Sequence, residues 1–232
     1  MSRINFFHTE TDGGIINSEL EIWAVGFLIL SYKNCAAILY VWYISEWRVI
    51  MSKAAVFFGT GYEEIEALTV VDILRRGQIT VDMVSITGER EVTGSHGITV
   101  KMDKLFKEVD FDATDIIILP GGMPGTKNLE AYEPLMDLVD EFYQKDKYIA
   151  AICAAPSIFG HKGILKGKKA CSNPGFESHL EGADVKQEPA VVDGHIITSR
   201  GMGTAIPFGL AILEQFAGKE AVVEMRQKLV YA

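Results

Sequence analysis

The sequence predicts an α/β fold in which a mostly parallel sheet is covered by helices on both faces. Continuous apolar runs at 54–58, 116–119 and 148–152 are typical of strands buried on both faces. Segments with a helical period separate these runs, and such alternation is the usual pattern of parallel βαβ units. No internal repeat or low-complexity tract interrupts the pattern. We therefore expect one domain over residues 51–232.

The elements predicted before residue 116 follow from apolar spacing and β-branched content. The apolar run Ala54–Phe58 predicts the first strand. Apolar residues recur every three or four positions over Glu63–Arg76, which predicts a helix, and Gly77 is well placed to end it. A β-branched strand is expected over Thr80–Ile86, and Gly94–Val100 is expected to form one arm of a hairpin.

The second half of the domain continues the alternation of buried strands and helices. Its predicted elements are a strand at Ile116–Leu119, an amphipathic helix at Leu129–Lys145, a strand at Tyr148–Ile152, a helix starting within Ala154–Gly160, a hairpin at Val191–Thr198 that turns at Asp193-Gly194, and helices at Thr204–Phe216 and Lys219–Val230.

Residues 1–50 form a hydrophobic N-terminal extension that does not share this pattern. Residues 22–44 are nearly all apolar and long enough to span a bilayer, but Lys33 lies near the middle. No basic region precedes them, so they do not resemble a cleavable signal. Three interpretations are open: a membrane anchor, a hydrophobic hairpin, or upstream sequence translated ahead of a start at Met51. We favour the third, because a core strand follows Met51 at once.

Composition excludes several classes of function. The net charge is -9 and no Lys/Arg cluster forms the footprint that nucleic acids require. The three cysteines, Cys35, Cys153 and Cys171, match neither a zinc pattern nor a disulfide scaffold. His8, His179 and His195 show no metal-ligand spacing with carboxylates or thiols, so we predict no metal. Free cysteines fit a reducing compartment, and we expect a cytoplasmic protein.

The sharpest chemical signal is Cys153, which directly follows the buried strand 148–152. Ligands bind at the carboxyl ends of parallel strands. The small neighbours of Cys153 suit a tight strand-to-helix turn, which would present the thiol at a helix N-terminus. The helix dipole there favours the thiolate, so we expect a pKa below the ordinary value of about 8.5. The alternative is a cysteine that acts only as a small apolar residue of the core.

Two further strand ends carry weaker signals. Gly121-Gly122 could direct backbone N–H groups at an oxyanion, or could form a loop that needs positive φ. Glu66 could serve only as a complement to the helix dipole. Because apolar residues flank Glu66, it could instead be a buried carboxyl with a raised pKa that donates a hydrogen bond to sulfur.

Four segments taken together resemble the ThiJ/PfpI superfamily, specifically its DJ-one branch, over about Met51 to Val230. They are Gly61-Tyr62-Glu63-Glu64-Ile65-Glu66, Leu119-Pro120-Gly121-Gly122, Ala150-Ala151-Ile152-Cys153-Ala154-Ala155-Pro156 and Thr198-Ser199-Arg200-Gly201-Met202-Gly203-Thr204. The resemblance implies a flavodoxin-like three-layer sandwich, a homodimer and no cofactor. It makes Cys153 the reactive cysteine, Glu66 the carboxyl that stabilises its thiolate, and the amides of Gly122 and Ala154 the oxyanion pocket.

The sequence departs from the family pattern at two positions. Ala154 stands where the protease-like members carry a His after the cysteine, which argues against a peptidase. Asn173 stands where the DJ-one branch tends to carry a His, and an amide cannot act as a general base. Glu66 is then left for proton transfer, while Asn173 orients the substrate. His96 and His161 could approach the pocket, although a solvated or structural role is the simpler interpretation of each.

The resemblance implies an enzyme that acts on reactive dicarbonyls or their adducts, of the glutathione-independent glyoxalase or deglycase type. The alternative is a redox sensor or stress-protective chaperone that uses the same oxidisable Cys153. An older label links this branch to thiazole monophosphate biosynthesis. The expected partners are a small carbonyl substrate and a second copy of the chain, with membrane contact only if residues 22–44 form an anchor.

Overall fold

The central sheet of the domain has seven strands, and helices cover both of its faces in the computed structural model, which describes residues 52–231. The strands are β1 (Lys53–Phe58), β2 (Thr80–Ser85), β3 (Glu91–Thr93), β4 (Thr99–Lys101), β5 (Lys104–Leu105), β6 (Ile116–Leu119), β7 (Tyr148–Ile152), β8 (Lys169–Ala170), β9 (Asp184–Val185), β10 (Ala190–Asp193) and β11 (Ile196–Ser199). The helices are α1 (Glu64–Arg76), α2 (Gly125–Glu130), α3 (Glu133–Gln144), α4 (Pro156–His161) and α5 (Ala205–Lys228).

The strand order in the large sheet is β10-β11-β7-β6-β1-β2-β5. Every neighbouring pair is parallel except β10 and β11, which form an antiparallel hairpin. Gly194 has a φ of 64° in that hairpin, so the turn predicted at Asp193-Gly194 is confirmed. The predicted fold class, a flavodoxin-like sandwich with a mostly parallel sheet, is also confirmed.

Alternate residues of β1 enter opposite halves of the core, which explains why the strand is a continuous apolar run. Ala54, Val56 and Phe58 face the cluster that contains α1 and α5. Ala55 and Phe57 face the cluster that contains α2, α3 and α4. A strand with two buried faces cannot alternate apolar and polar residues. The continuous apolar run is therefore the pattern expected of a strand in the middle layer of a three-layer fold.

Helix α5 packs closely against α1 through a glycine. A Cβ atom on Gly209 would lie 2.8 Å from Ile73 Cδ1, so a larger residue there would push the two helices apart. Non-helical backbone at Gly218 divides α5 in two. This break lies between the two C-terminal helices that the sequence predicts, at Thr204–Phe216 and Lys219–Val230.

The single helix predicted over Leu129–Lys145 is wrong. The chain forms α2, which ends at Glu130, and then α3, which begins at Glu133. Pro134 lies in the first turn of α3, where its missing N–H costs nothing, but it cannot continue a helix from the preceding turn. Strands β5, β8 and β9 are two residues each, too short for a periodic signal.

The interpretations of residues 1–50 lie outside the described residues. Within residues 52–231, no helix combines the length and the apolar character that a bilayer crossing requires. The carboxyl ends of β1, β6, β7 and β11 lie side by side in the sheet, because these strands are parallel neighbours. The loops that follow these strands bring the predicted site residues to one edge.

Candidate active site

Cys153 directly follows β7 and has a left-handed backbone, with a φ of 66°. This conformation is strained for a residue with a side chain and is characteristic of functional turns. Its N–H donates to the carbonyl of Ser199 at 3.0 Å, and its carbonyl accepts from the N–H of Asn173 at 2.8 Å. These bonds hold the strained turn in place. The predicted strand-to-helix turn at this cysteine is therefore present, with α4 beginning at Pro156.

Glu66 lies in the first turn of α1 and is 1% exposed. Its Oε2 accepts from the N–H of Gly121 at 3.0 Å. A Cβ atom on Gly121 would lie 2.6 Å from Cys153 Cβ and 2.6 Å from Glu66 Oε2. Glycine at 121 is thus required by close approach, because the loop packs against both the cysteine and the carboxyl.

The side chains of Glu66 and Cys153 share a hydrogen bond, and their titrations are linked. Burial raises the pKa of Glu66 to about 7. Burial, and then the charge of Glu66, raise the pKa of the Cys153 thiol to about 12. The expectation of a thiol pKa below the ordinary value is therefore wrong, because burial and a neighbouring carboxylate outweigh the stabilisation from the turn.

Two backbone N–H groups donate to the sulfur of Cys153 and lower its pKa against these effects. They belong to Ala154 and Gly122, the two residues that the sequence predicts for the oxyanion pocket. Gly122 has a φ of 92°, and a Cβ atom there would lie 2.4 Å from the backbone nitrogen of Glu63. The backbone at 122 thus needs glycine in order to turn its N–H toward sulfur.

A pocket of about 450 Å³ opens over the sulfur. It is lined by Glu63, Glu66, His96, Cys153, Asn173, Pro174, Arg200, Gly201, Met202, Gly203 and Thr204. The structure therefore brings Asn173 and His96 to the same space as the reactive pair. A Cβ atom on Gly201 would lie 3.0 Å from Asn173 Nδ2 and 4.0 Å from Cys153 Sγ, so Gly201 leaves room between them. The chemical roles of these residues stay predictions.

His96 is held at the rim of the pocket by the buried carboxylate of Glu64. Its Nδ1 lies 2.9 Å from Glu64 Oε2, and its backbone N–H donates to Glu64 Oε1 at 2.8 Å. Burial opposes ionisation of Glu64, but the hydrogen bonds from His96 and Ser95 prevail and lower its pKa to about 2. The same contact raises the pKa of His96. His96 is thus paired with a buried carboxylate while 70% of its side chain stays exposed, which fits the solvated or structural role that was the simpler interpretation.

Ligand atoms of Glu63, Glu64 and His96 lie within 4.8 Å of one another, close enough for a metal ion. Each carboxylate already has a hydrogen-bond donor, since Glu63 Oε2 accepts from the N–H of Glu66 at 2.7 Å. The absence of a metal, predicted from the sequence, stays a prediction. His161 is not among the pocket residues: its Nδ1 lies 2.6 Å from Glu130 Oε1 and its Nε2 lies 3.0 Å from His179 Nδ1.

The loop after β11 supplies one wall of the pocket, and none of its residues was predicted as a site residue. Thr204 Oγ1 accepts from the N–H groups of Gly201 at 3.0 Å and Arg200 at 3.2 Å. These bonds fix Arg200 at the pocket wall. The available signal was the glycine-rich segment 200–204, which directly follows β11 at the edge of the sheet where ligands bind.

Comparison with known proteins places this site in a wider context. The model of the DJ-1/PfpI family matches residues 52–215. Protein DJ-1 homolog B of Arabidopsis thaliana is 39% identical over 73% of this chain, although the match spans only 39% of that longer protein. The protein named glutathione-independent glyoxalase DJ-1 of Schizosaccharomyces pombe is 34% identical over 73% of this chain and 94% of its own length.

The structural comparison gives the same result. The structure titled Toxoplasma gondii DJ-1, oxidized, superimposes with a TM-score of 0.75 at 34% identity. The match covers 78% of this chain and 99% of the Toxoplasma chain. The two chains therefore share the same overall fold.

Proposed function

The chain belongs to the DJ-1/PfpI family, and on that premise we propose that it converts small reactive dicarbonyls into hydroxy acids without glutathione. One observation carries the proposal. A thiol and a carboxyl with a pKa of about 7 share a hydrogen bond at the floor of a pocket, and two amides donate to the sulfur. This arrangement supplies a nucleophile, a base that titrates near neutral pH and donors for a developing oxyanion.

The first step forms a hemithioacetal. Cys153 Sγ attacks the aldehyde carbon of a dicarbonyl such as methylglyoxal while Glu66 takes the thiol proton. The C=O π electrons move to oxygen, and the amides of Gly122 and Ala154 stabilise the resulting charge. A base with a pKa near the working pH is efficient in this transfer.

The second step is an internal redox change that needs no cofactor. Glu66 first gives the thiol proton to the hemithioacetal oxygen and becomes a base again. It then removes the proton from the former aldehyde carbon and returns it to the neighbouring ketone carbon, while the hydroxyl proton of the first carbon passes to the ketone oxygen. The first carbon is thereby oxidised and the second is reduced. A thioester of a 2-hydroxy acid results. Water then releases the acid and restores the thiol, and an early adduct of a dicarbonyl with an amine or thiol would enter at the same sulfur.

The direct test measures lactate formed from methylglyoxal in the absence of glutathione. We expect turnover by the wild-type protein and none by Cys153→Ser, because the hydroxyl is a far weaker nucleophile than sulfur. The matched control is Cys171→Ser, which changes the same atom at a buried cysteine outside the pocket. A wild-type protein that forms no lactate would reject the proposal.

A redox sensor is the second candidate, and the partial exposure of Cys153 supports it. An oxidised sulfur would accept hydrogen bonds from the same two amides and from protonated Glu66. The discriminating result is stoichiometric oxidation of Cys153 by peroxide in a protein that does not turn over methylglyoxal. If turnover is lost in Cys153→Ser but kept in Cys171→Ser, the result favours the enzyme.

We further propose that the protein acts as a homodimer in the cytoplasm. Ile65, beside Glu66 on α1, and Met202, in the pocket loop, are 49% and 54% exposed. Apolar side chains of this size at the surface fit a contact with a second copy. Sedimentation of the full chain over a range of concentrations tests this, and a constant monomer mass would reject it.

A further inference from the structure

Arg200 differs from the other arginines in the part of the chain that the structure describes. Arg75, Arg76 and Arg90 form ion pairs with carboxylates. Arg226 lies over the ring of Tyr231, at 5.2 Å from its centroid. Arg200 makes neither kind of contact, and its Nε is buried without a hydrogen-bond partner among the described residues. A buried donor of this kind is costly unless something else accepts from it.

The other charges around the pocket already have partners. Glu63 accepts from the first turn of α1, where the helix dipole favours a negative charge. His96 is paired with Glu64 at 2.9 Å. Hydrogen bonds from the backbone N–H groups of Glu177 and Gly175 lower the pKa of Glu177, and Arg200 lowers it further without forming an ion pair within 4.0 Å. Arg200 is therefore the charged group of the pocket wall that has neither an ion pair within 4.0 Å nor a hydrogen bond at its Nε among the described residues.

We propose that Arg200 recognises a carboxylate on the substrate, so that the pocket selects aldehydes or dicarbonyls that carry this group. A guanidinium stays charged at any working pH and binds carboxylates through two parallel hydrogen bonds. Arg200 and Cys153 line the same pocket, which is large enough for a short-chain carbonyl compound. This assignment rests on the proposed function and names the substrate class for the same site.

The test compares iodoacetate with iodoacetamide, which have nearly the same shape and differ in charge. Each forms an S–C bond at Cys153 as the C–I bond breaks and iodide leaves. We expect the ratio of the iodoacetate rate to the iodoacetamide rate to fall about three- to tenfold in Arg200→Gln, which corresponds to one screened charge contact. Arg200→Lys should retain part of the preference, and added salt should reduce it in the wild-type protein.

Arg226→Gln is the matched control, since it makes the same change in net charge on α5, away from the pocket. Its rate ratio should equal that of the wild-type protein. An unchanged ratio in Arg200→Gln would overturn the proposal. If the sulfur reacts too slowly with both reagents, fluorine NMR of fluoroacetate and fluoroacetamide binding makes the same comparison without a reaction.

The two proposals fail in distinguishable ways, because alkylation needs no turnover. If the protein forms lactate but the ratio of the iodoacetate rate to the iodoacetamide rate does not depend on Arg200, only the carboxylate site is rejected. A ratio that depends on Arg200, in a protein that forms no lactate, rejects the glyoxalase and leaves a carboxylate-binding pocket. In the active enzyme, Arg200→Gln should raise KM for a carboxylate-bearing 2-oxo aldehyde and leave KM for methylglyoxal nearly unchanged.

Discussion

At the residue scale, the chemistry of the pocket depends on where one proton lies between Cys153 and Glu66. The pair loses its first proton near pH 7 and its second only near 12. Across that range it carries a single negative charge, which belongs to the pair as a whole. The amides of Gly122 and Ala154 favour placing that charge on sulfur, while burial of the thiol favours placing it on the carboxylate.

The Glu66→Gln variant tests this shared proton. In the wild-type protein, the rate of Cys153 alkylation by iodoacetamide should rise with pH through a step near 7, because Glu66 then becomes a base for the thiol. In Glu66→Gln that step should disappear, and the rate at neutral pH should fall. The measurement is a pH profile of the rate. If the step near pH 7 persists in Glu66→Gln, it belongs to a group other than Glu66.

Gly121 sets the approach of the carboxyl to the thiol. Gly121→Ala should lower the alkylation rate at neutral pH by about 10- to 100-fold, because a Cβ atom there must displace Cys153 or Glu66. Gly203→Ala is the control, since Gly203 also lines the pocket but its Cβ would meet no atom within 4 Å. Equal rates in the two variants would contradict the close packing of the pair.

At the element scale, α3 shows how an amphipathic segment supports the layer behind the sheet. Its buried residues are Leu135, Leu138, Val139 and Phe142, and these recur at three- and four-residue spacing. The spacing predicts a helix correctly. It does not reveal where the preceding helix ends, because Leu129 on α2 is equally buried and continues the same periodicity. Pro134 decides the boundary through its missing N–H.

Truncating Phe142 tests the importance of this layer. Phe142 is 1% exposed in the cluster shared with β1, so Phe142→Ala should lower the free energy of unfolding by about 3–5 kcal/mol. Asp137→Ala, on the exposed face of the same helix, should change it by no more than about 0.5 kcal/mol. Urea unfolding of both variants makes the comparison. A loss of similar size in both would contradict the packing described for α3.

At the scale of the whole molecule, the sheet topology gathers residues that are far apart in the sequence. Glu66 follows β1, Gly121 follows β6, Cys153 follows β7 and Arg200 follows β11. These strands are parallel neighbours, so their carboxyl ends share one edge. Placing a carboxyl there in an apolar setting destabilises the folded protein whenever that group is ionised.

Stability should therefore depend on pH through Glu66. Its pKa is raised from 4.5 to about 7 in the folded state. Its contribution to the free energy of unfolding is therefore fully present below pH 4.5 and is lost as the pH rises through 7. The wild-type protein should lose roughly 2–3 kcal/mol of unfolding free energy from this group between about pH 5 and about pH 8. Urea unfolding at both pH values measures the loss.

Glu66→Gln should remove most of that dependence and make the protein more stable at the higher pH. Glu64 itself loses its stabilising charge only below pH 4.5, because its pKa is lowered to about 2. Its partner His96 has a raised pKa, so this pair adds a loss of the same sign as the pH rises past 6.5, and a smaller dependence should remain in Glu66→Gln. Asp137→Asn, which changes an exposed carboxyl, should leave the dependence intact. A loss of undiminished size in Glu66→Gln would show that Glu66 is not its source.

The sequence by itself determined the fold class and the strands of the core, and the family resemblance predicted Cys153 and Glu66 as a reactive pair. Apolar runs and helical periods depend only on which side chains must be buried, so they can be read locally. The small residues around Cys153 and the apolar neighbours of Glu66 are local signals of the same kind. His96 was also identified, although the carboxylate that orients it was not.

Only the tertiary structure decided the electrostatics of the site. The pKa of the Cys153 thiol depends on burial and on the charge of Glu66, a residue that lies more than eighty positions earlier in the chain. The unpaired state of Arg200 likewise depends on which carboxylates the fold leaves out of its reach. These properties arise from distances between strand ends, and residue spacing along the chain does not contain them.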